Sequence, residues 1–231
     1  MSESKEMQKG ELAPTEWIWN EDKNPPFHRT QYAPMLVKHF DCLFADGETG
    51  RVFVPLCGKT LDMIFLADKG LEVVGLEFSE IGVEGFFKDN NLTYKKMDVV
   101  NQPLVQYKCN EKNITIYRGD MFNLNPDVCG QFDGIWDRGS YVAINIPTQQ
   151  KYADLILQLM KPKAKILMET FTYDTSRYGG PPHCITLENL QSTFGSKCQI
   201  KVVDTMTMLA HPVFNAGDMI MTLPYCLLSM K

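Results

Sequence analysis

Arg51-Val-Phe-Val-Pro-Leu-Cys-Gly-Lys-Thr-Leu-Asp62 is the stretch whose reading decides the fold. Val52, Phe53 and Val54 form the short apolar run of a strand buried on both faces. The strand is expected over 51–56. Pro55 and Gly58 mark a tight turn, and a helix is expected over 60–69. Leu71-Glu-Val-Val-Gly-Leu-Glu77 is a second apolar strand, expected over 72–77 and tipped by a carboxylate. A strand, a glycine turn, a helix and an acid-tipped strand are how an open parallel sheet holds a nucleoside.

The turn itself narrows the ligand. It holds one glycine, so it is neither a phosphate loop nor a dinucleotide fingerprint. Lys59-Thr60 resembles the end of a phosphate loop, but the earlier glycine is missing, and with it the backbone nest for a triphosphate. Gly58 permits close approach of backbone to a ligand, or serves packing alone. Glu77 accepts both ribose hydroxyls, or is a solvated strand end.

Outward from this unit, strands and helices alternate. Helices are expected over His28–Phe44, 79–89 with Ser79 as cap, 148–160 and 186–194. Further strands are expected at 114–117, 132–137 and 165–171, then at 199–206 and 218–228. Residues 90–112 read as polar and irregular, with room for a short hairpin around Gln106–Lys108. Alternation implies an α/β fold with a mostly parallel sheet. The last two strands have no helix between them, which predicts an antiparallel pair at the C-terminal edge. One domain over 1–231 is expected, with a loose tail at 1–14 and an N-terminal cover over 15–45.

Composition sets the class. The 231 residues are 44% hydrophobic and 22% charged, an ordinary globular balance. A net charge of −5 and a pI near 5.4 disfavour nucleic acid as a partner. No apolar run reaches membrane-spanning length, and the polar start lacks a signal-peptide core. Seven widely spaced cysteines without a Cys-x-x-Cys pair suggest reduced thiols. The four histidines show no metal spacing, so no metal is expected. These features predict a cytoplasmic chain, and no long apolar patch demands a dimer.

In a doubly wound sheet the ligand lies beyond the carboxyl ends of the strands. Leu56–Gly58, Glu77, Asp120 and Asp137–Arg138 stand at four such ends. Asp120 takes the exocyclic amine of an adenine or forms an Asx turn. Arg138 orients an anionic substrate through its fork or forms a structural ion pair. Trp17, Trp19 and Phe27 staple the N-terminal segment to the core, line a pocket for a flat ligand and a sulfonium, or do both. Cys57 reads as a packed thiol.

These segments together resemble the thiopurine S-methyltransferases. The resemblance rests on Trp17 with Phe27-His28, Val54-Pro-Leu-Cys-Gly-Lys59, Val73-Val-Gly-Leu-Glu77, Phe132-Asp-Gly-Ile-Trp-Asp-Arg-Gly139, Tyr152-Ala-Asp154, and Tyr173-Asp174 with Gly180-Pro-Pro182. They run in order over about 15–185. The resemblance implies a Rossmann-like class I methyltransferase fold with S-adenosyl-L-methionine in the crevice, leaving S-adenosyl-L-homocysteine as product. It implies Trp17 near the cofactor, and Leu56, Gly58 and Glu77 holding its methionyl and ribose parts. It further implies Asp120 and Met121 beside the adenine, and Phe27 and Arg138 facing the substrate and the transferring methyl. The chain departs from the mammalian pattern at Leu209-Ala-His-Pro-Val-Phe-Asn-Ala-Gly-Asp218, where a second substrate-facing arginine is absent.

The expected reaction is attack of an aromatic or heterocyclic thiolate, as in thiopurines, on a sulfonium methyl. Arg138 would favour the thiolate, and Asp137 would hold Arg138. The same fold also suits small aliphatic thiols, halide or selenium compounds, or a non-catalytic binding protein. A small-molecule thiol is the expected partner, with no membrane and a monomeric chain. Segments 15–28 and 172–185 are the candidate lids.

Overall fold

The computed structural model describes residues 19, 25, 28–45, 47–211 and 217–231. Nine strands form one sheet: β1 (Arg51–Val54), β2 (Glu72–Glu77), β3 (Tyr94–Asp98), β4 (Val105–Cys109), β5 (Ile114–Arg118), β6 (Phe132–Arg138), β7 (Met160–Glu169), β8 (Cys198–Leu209) and β9 (Ile220–Met230). Their order is β3-β4-β5-β2-β1-β6-β7-β9-β8. The five strands β5-β2-β1-β6-β7 pair in parallel. Both edges are antiparallel, β9 and β8 on one side as expected and the hairpin β3–β4 on the other.

Strand order reverses between β1 and β6, which puts a ligand crevice at their carboxyl ends. Helices α1 (Pro34–Leu43), α2 (Asp62–Asp68) and α3 (Glu80–Asp89) share one apolar cluster. Helices α4 (Pro126–Cys129), α5 (Gln149–Leu159) and α6 (Leu187–Phe194) are associated with the other. In α5, Tyr152, Ile156 and Leu159 recur at helical spacing and are fully buried. Ser79 caps α3 by accepting from Gly82 N, as its position predicts.

Two expectations need correction. The first helix does not begin at His28: Pro34 opens it at N1, where the missing N–H costs nothing. Residues 94–109 are more regular than expected: they form the β3–β4 hairpin, and the Gln106–Lys108 stretch expected in a short hairpin lies in its second strand. Lys95, Lys96 and Met97 of β3 face solvent, so no apolar pattern announces the strand.

One buried acid ties the layers together. Asp62 accepts from Ala33 N at 2.7 Å and from Trp136 Nε1 at 2.8 Å. It thereby fixes the entry to α1 against α2 and β6, beneath the crevice. Among the described residues no helix is long and apolar enough to cross a membrane.

Candidate active site

The turn after β1 sits in the left-handed region twice, at Leu56 (φ 41°) and Gly58 (φ 49°). Leucine in that region costs about 1–2 kcal/mol, so neighbours must hold it. Cys57 N donates to Leu76 O at 2.8 Å, and Thr60 N donates to Cys57 O at 3.1 Å. Ser140 Oγ donates to Pro55 O at 2.6 Å, bridging β1 to the exit of β6. Gly75 makes room in β2, where a Cβ would lie 2.7 Å from Cys57 Sγ. Burial pushes the Cys57 thiol well up, so it is the packed, protonated group expected.

Glu77 ends β2 with only 3% exposure. Its Oε2 accepts from Gly58 N and its Oε1 from Ser79 N, each at 2.8 Å. The carboxylate therefore organises the turn as well as the strand end, and is no solvated terminus. A carboxylate has about four acceptor positions, enough for two backbone donors and two ribose hydroxyls.

Trp19 lies against this turn, 4% exposed. A Cβ on Gly58 would meet its Cζ2 at 2.7 Å, so glycine is required there for space as well as for φ. Lys59 Nζ stands 5.5 Å from the indole ring and pairs with Asp89 at 2.7 Å. His28 meets the indole edge-on at 5.9 Å. Trp17 and Phe27, the aromatic residues expected at the cofactor and substrate, lie outside the described residues.

Asp120 adopts the Asx arrangement, its Oδ1 accepting from Phe122 N at 2.9 Å and capping a single 3-10 turn at Met121–Asn123. Met121 is buried in the core beside it. Gly119 N donates to Glu77 O at 3.0 Å, which sets the tip of β5 next to the tip of β2.

The tip of β6 corrects one expectation. Adjacent strand residues point to opposite faces, so Asp137 and Arg138 part company. Asp137 is fully buried and accepts from Tyr152 OH at 2.6 Å and Tyr141 N at 3.1 Å. Burial raises its pKa to about 6 despite these bonds. It fixes the backbone that leaves β6 rather than gripping the arginine. Arg138 instead has Glu169 of β7 beside it, Nε to Oε1 at 3.7 Å. Tyr225 of β9 donates its phenol to Glu169 Oε2. Glu169 and Tyr225 were not foreseen, although Glu169 carries the same signal as Glu77, an acid ending a buried strand.

A buried acid at β2, a left-handed turn presenting backbone, and an arginine across the switch point suit a nucleoside joined to an amino acid. The donor set therefore fits S-adenosyl-L-methionine.

The fold and this crevice define a class I S-adenosyl-L-methionine-dependent methyltransferase. A solved structure of similar fold is the 1,6-didemethyltoxoflavin-N1-methyltransferase of Burkholderia thailandensis, with S-adenosylhomocysteine bound. It shares 15% identity at a TM-score of 0.53, over 85% of this chain and 75% of that one. The family model for thiopurine S-methyltransferase matches residues 13–222. The chain belongs to that family. It is 37% identical over 179 residues to the thiopurine S-methyltransferase of Bos taurus, covering 77% of this chain and 73% of the relative. It is also 37% identical over 195 residues to the probable thiopurine S-methyltransferase of Danio rerio, covering 83% and 84%.

Proposed function

We propose that this chain methylates the sulfur of aromatic or heterocyclic thiols of the thiopurine kind, as a cytoplasmic monomer. One observation carries the reading: Glu77, the Gly58 turn and Arg138 converge at the β1–β6 switch point, in a chain of this family. Bound S-adenosyl-L-methionine supplies a sulfonium methyl, which the acceptor sulfur takes in line, leaving S-adenosyl-L-homocysteine.

The chain's own residues bind and orient. Leu56 and Gly58 offer backbone to the methionyl part, and Glu77 accepts the ribose hydroxyls. Asp120 and Met121 flank the base. Trp17 is assigned to the cofactor and Phe27 to the substrate, both from the family resemblance. Arg138 faces the acceptor and favours its thiolate. Asp137 acts at one remove, by fixing the backbone that carries Arg138. Heteroaromatic thiols are acidic enough to ionise without a strong base, so positioning supplies most of the rate; it is worth as much as ~7–11 kcal/mol.

Arg138→Ala tests this. Turnover with an aromatic thiol should fall about 100-fold, as for a misplaced reactant. Affinity for S-adenosyl-L-homocysteine by calorimetry should change far less. Unchanged turnover removes Arg138 from the mechanism.

A further inference from the structure

The loop between β7 and α6 closes over the carboxyl ends of β6 and β7. His183 N donates to Val142 O at 2.7 Å, and Val142 stands in the single 3-10 turn (Tyr141–Ala143) that follows Arg138. Ile185 N donates to Phe171 O at 2.7 Å, just past the end of β7. In the sheet order β5-β2-β1-β6-β7, this half of the rim lies across the switch point from Glu77 of β2. Two phenols hold the loop in shape. Tyr173 OH donates to Pro182 O at 2.6 Å, and Tyr178 OH donates to Pro181 O. Gly180 (φ 89°) lets the chain fold back on the imidazole, since a Cβ there would lie 2.4 Å from His183 Nδ1.

His183 Nδ1 lies 3.2 Å from Gly179 O. A carbonyl oxygen only accepts, so Nδ1 carries the proton and donates it. The neutral ring then has a bare lone pair on Nε2, at the edge away from that carbonyl. Nε2 is buried and has no hydrogen-bond partner among the described residues. A buried acceptor without a donor is costly, and its persistence in a fold calls for a physical reason. Here the surrounding contacts fix both the ring and its tautomer, so the lone pair is presented ready-made. The cofactor's ribose and base are assigned to the ends of β2 and β5, on the other half of the rim. The donor that Nε2 lacks therefore belongs to the methyl acceptor. The reacting acceptor is a thiolate and has no S–H left, so that donor is on its ring.

We propose that His183 Nε2 accepts a hydrogen bond from a ring N–H of the acceptor. The preferred acceptors are then nitrogen heterocycles that keep an N–H after the thiol has ionised. An isostere with oxygen in that place sets one lone pair against another and leaves Nε2 unpaired, which a site built on a hydrogen bond rejects. The inference rests on the reading of this chain as a thiol methyltransferase and names the acceptor class within it. His183 touches the acceptor and sets specificity. Gly179, Gly180, Tyr173 and Tyr178 position it.

The test compares benzimidazole-2-thiol, whose thiolate keeps an N–H, with benzoxazole-2-thiol, whose thiolate keeps none. Labelled S-adenosyl-L-methionine and the full chain are used as wild type, His183→Phe and His183→Gln. The two thiols differ in acidity, so the readout is the change in their kcat/KM ratio between proteins, in which intrinsic reactivity cancels. His183→Phe should lower the benzimidazole-to-benzoxazole ratio about tenfold, the scale of one buried acceptor lost. His183→Gln keeps an acceptor oxygen and should hold the ratio within about threefold of wild type. A purely structural role for His183 would lower both activities together and leave the ratio alone, and that result overturns the proposal. If His183→Phe fails to fold, nitrogen NMR of wild type with ring-labelled histidines and bound S-adenosyl-L-homocysteine decides. Benzimidazole-2-thiol should move one histidine Nε2 resonance in the direction of a newly accepted hydrogen bond, and benzoxazole-2-thiol should not. Equal shifts, or none, overturn the inference and leave the functional reading standing. A wild type that methylates neither thiol overturns both.

Discussion

Replacing Glu77 with Gln keeps the size of the side chain and removes one of its two acceptor oxygens. In the wild type those oxygens take Gly58 N and Ser79 N, both at 2.8 Å and both buried. Hydrogen bonds to a charged group are worth roughly 1.5–3 kcal/mol each. Gln keeps one, loses the other, and sets its NH2 against a backbone donor. The expected loss of unfolding free energy is about 2–4 kcal/mol. The ribose also loses an acceptor, which at about 2 kcal/mol weakens cofactor binding about 30-fold. Urea unfolding with and without S-adenosyl-L-homocysteine measures both. At a ligand concentration of about 100 times the wild-type Kd, the wild type gains about 2.7 kcal/mol. The variant should gain only about 0.9 kcal/mol at the same concentration. A variant that keeps the full ligand-induced gain would refute Glu77 as the ribose acceptor, whatever its stability.

Two further outcomes follow from the same geometry. Asp137 has a folded pKa of about 6, above its unfolded value of about 3.9, so its contribution to stability is full below the unfolded value and is lost as pH rises through the folded one. Between about pH 4 and pH 7 the wild type should lose up to roughly 3 kcal/mol relative to Asp137→Asn, and a pH-independent difference in urea unfolding would contradict the burial account. Gly58→Ala places a Cβ at φ 49° and 2.7 Å from Trp19 Cζ2, so it should cost about 1–2 kcal/mol or more and shift tryptophan emission to the red. Unchanged emission would mean that Trp19 does not pack on the turn.

The central strands were legible because they are buried on both faces and read as apolar runs. Glu72–Glu77 was read to the residue, and β6 runs one residue beyond its expected end, to Arg138. The turn and Glu77 were legible for a related reason, since a polar residue ending an apolar strand stands out. Of hairpin β3–β4 only the Gln106–Lys108 stretch was legible; β3 was not, because an edge strand carries lysines outward and shows no buried face. The partners of Asp137 were hidden for a different reason. Tyr152 arrives from α5, fifteen residues on, and nothing in the sequence of β6 itself announces that contact. Asp120 left two readings open: the Asx turn is formed through Oδ1, and the adenine role is a proposal. Glu169 carries the same strand-end signal as Glu77, a buried acid closing an apolar run.

The most direct test of the account is methyl transfer itself. The purified full chain is given labelled S-adenosyl-L-methionine with an aromatic thiol and a small aliphatic thiol side by side. The account predicts the S-methyl product of the aromatic thiol with an equal amount of S-adenosyl-L-homocysteine, and little from the aliphatic one. Cofactor binding without methylation of the aromatic thiol, or faster methylation of the aliphatic thiol, would contradict it.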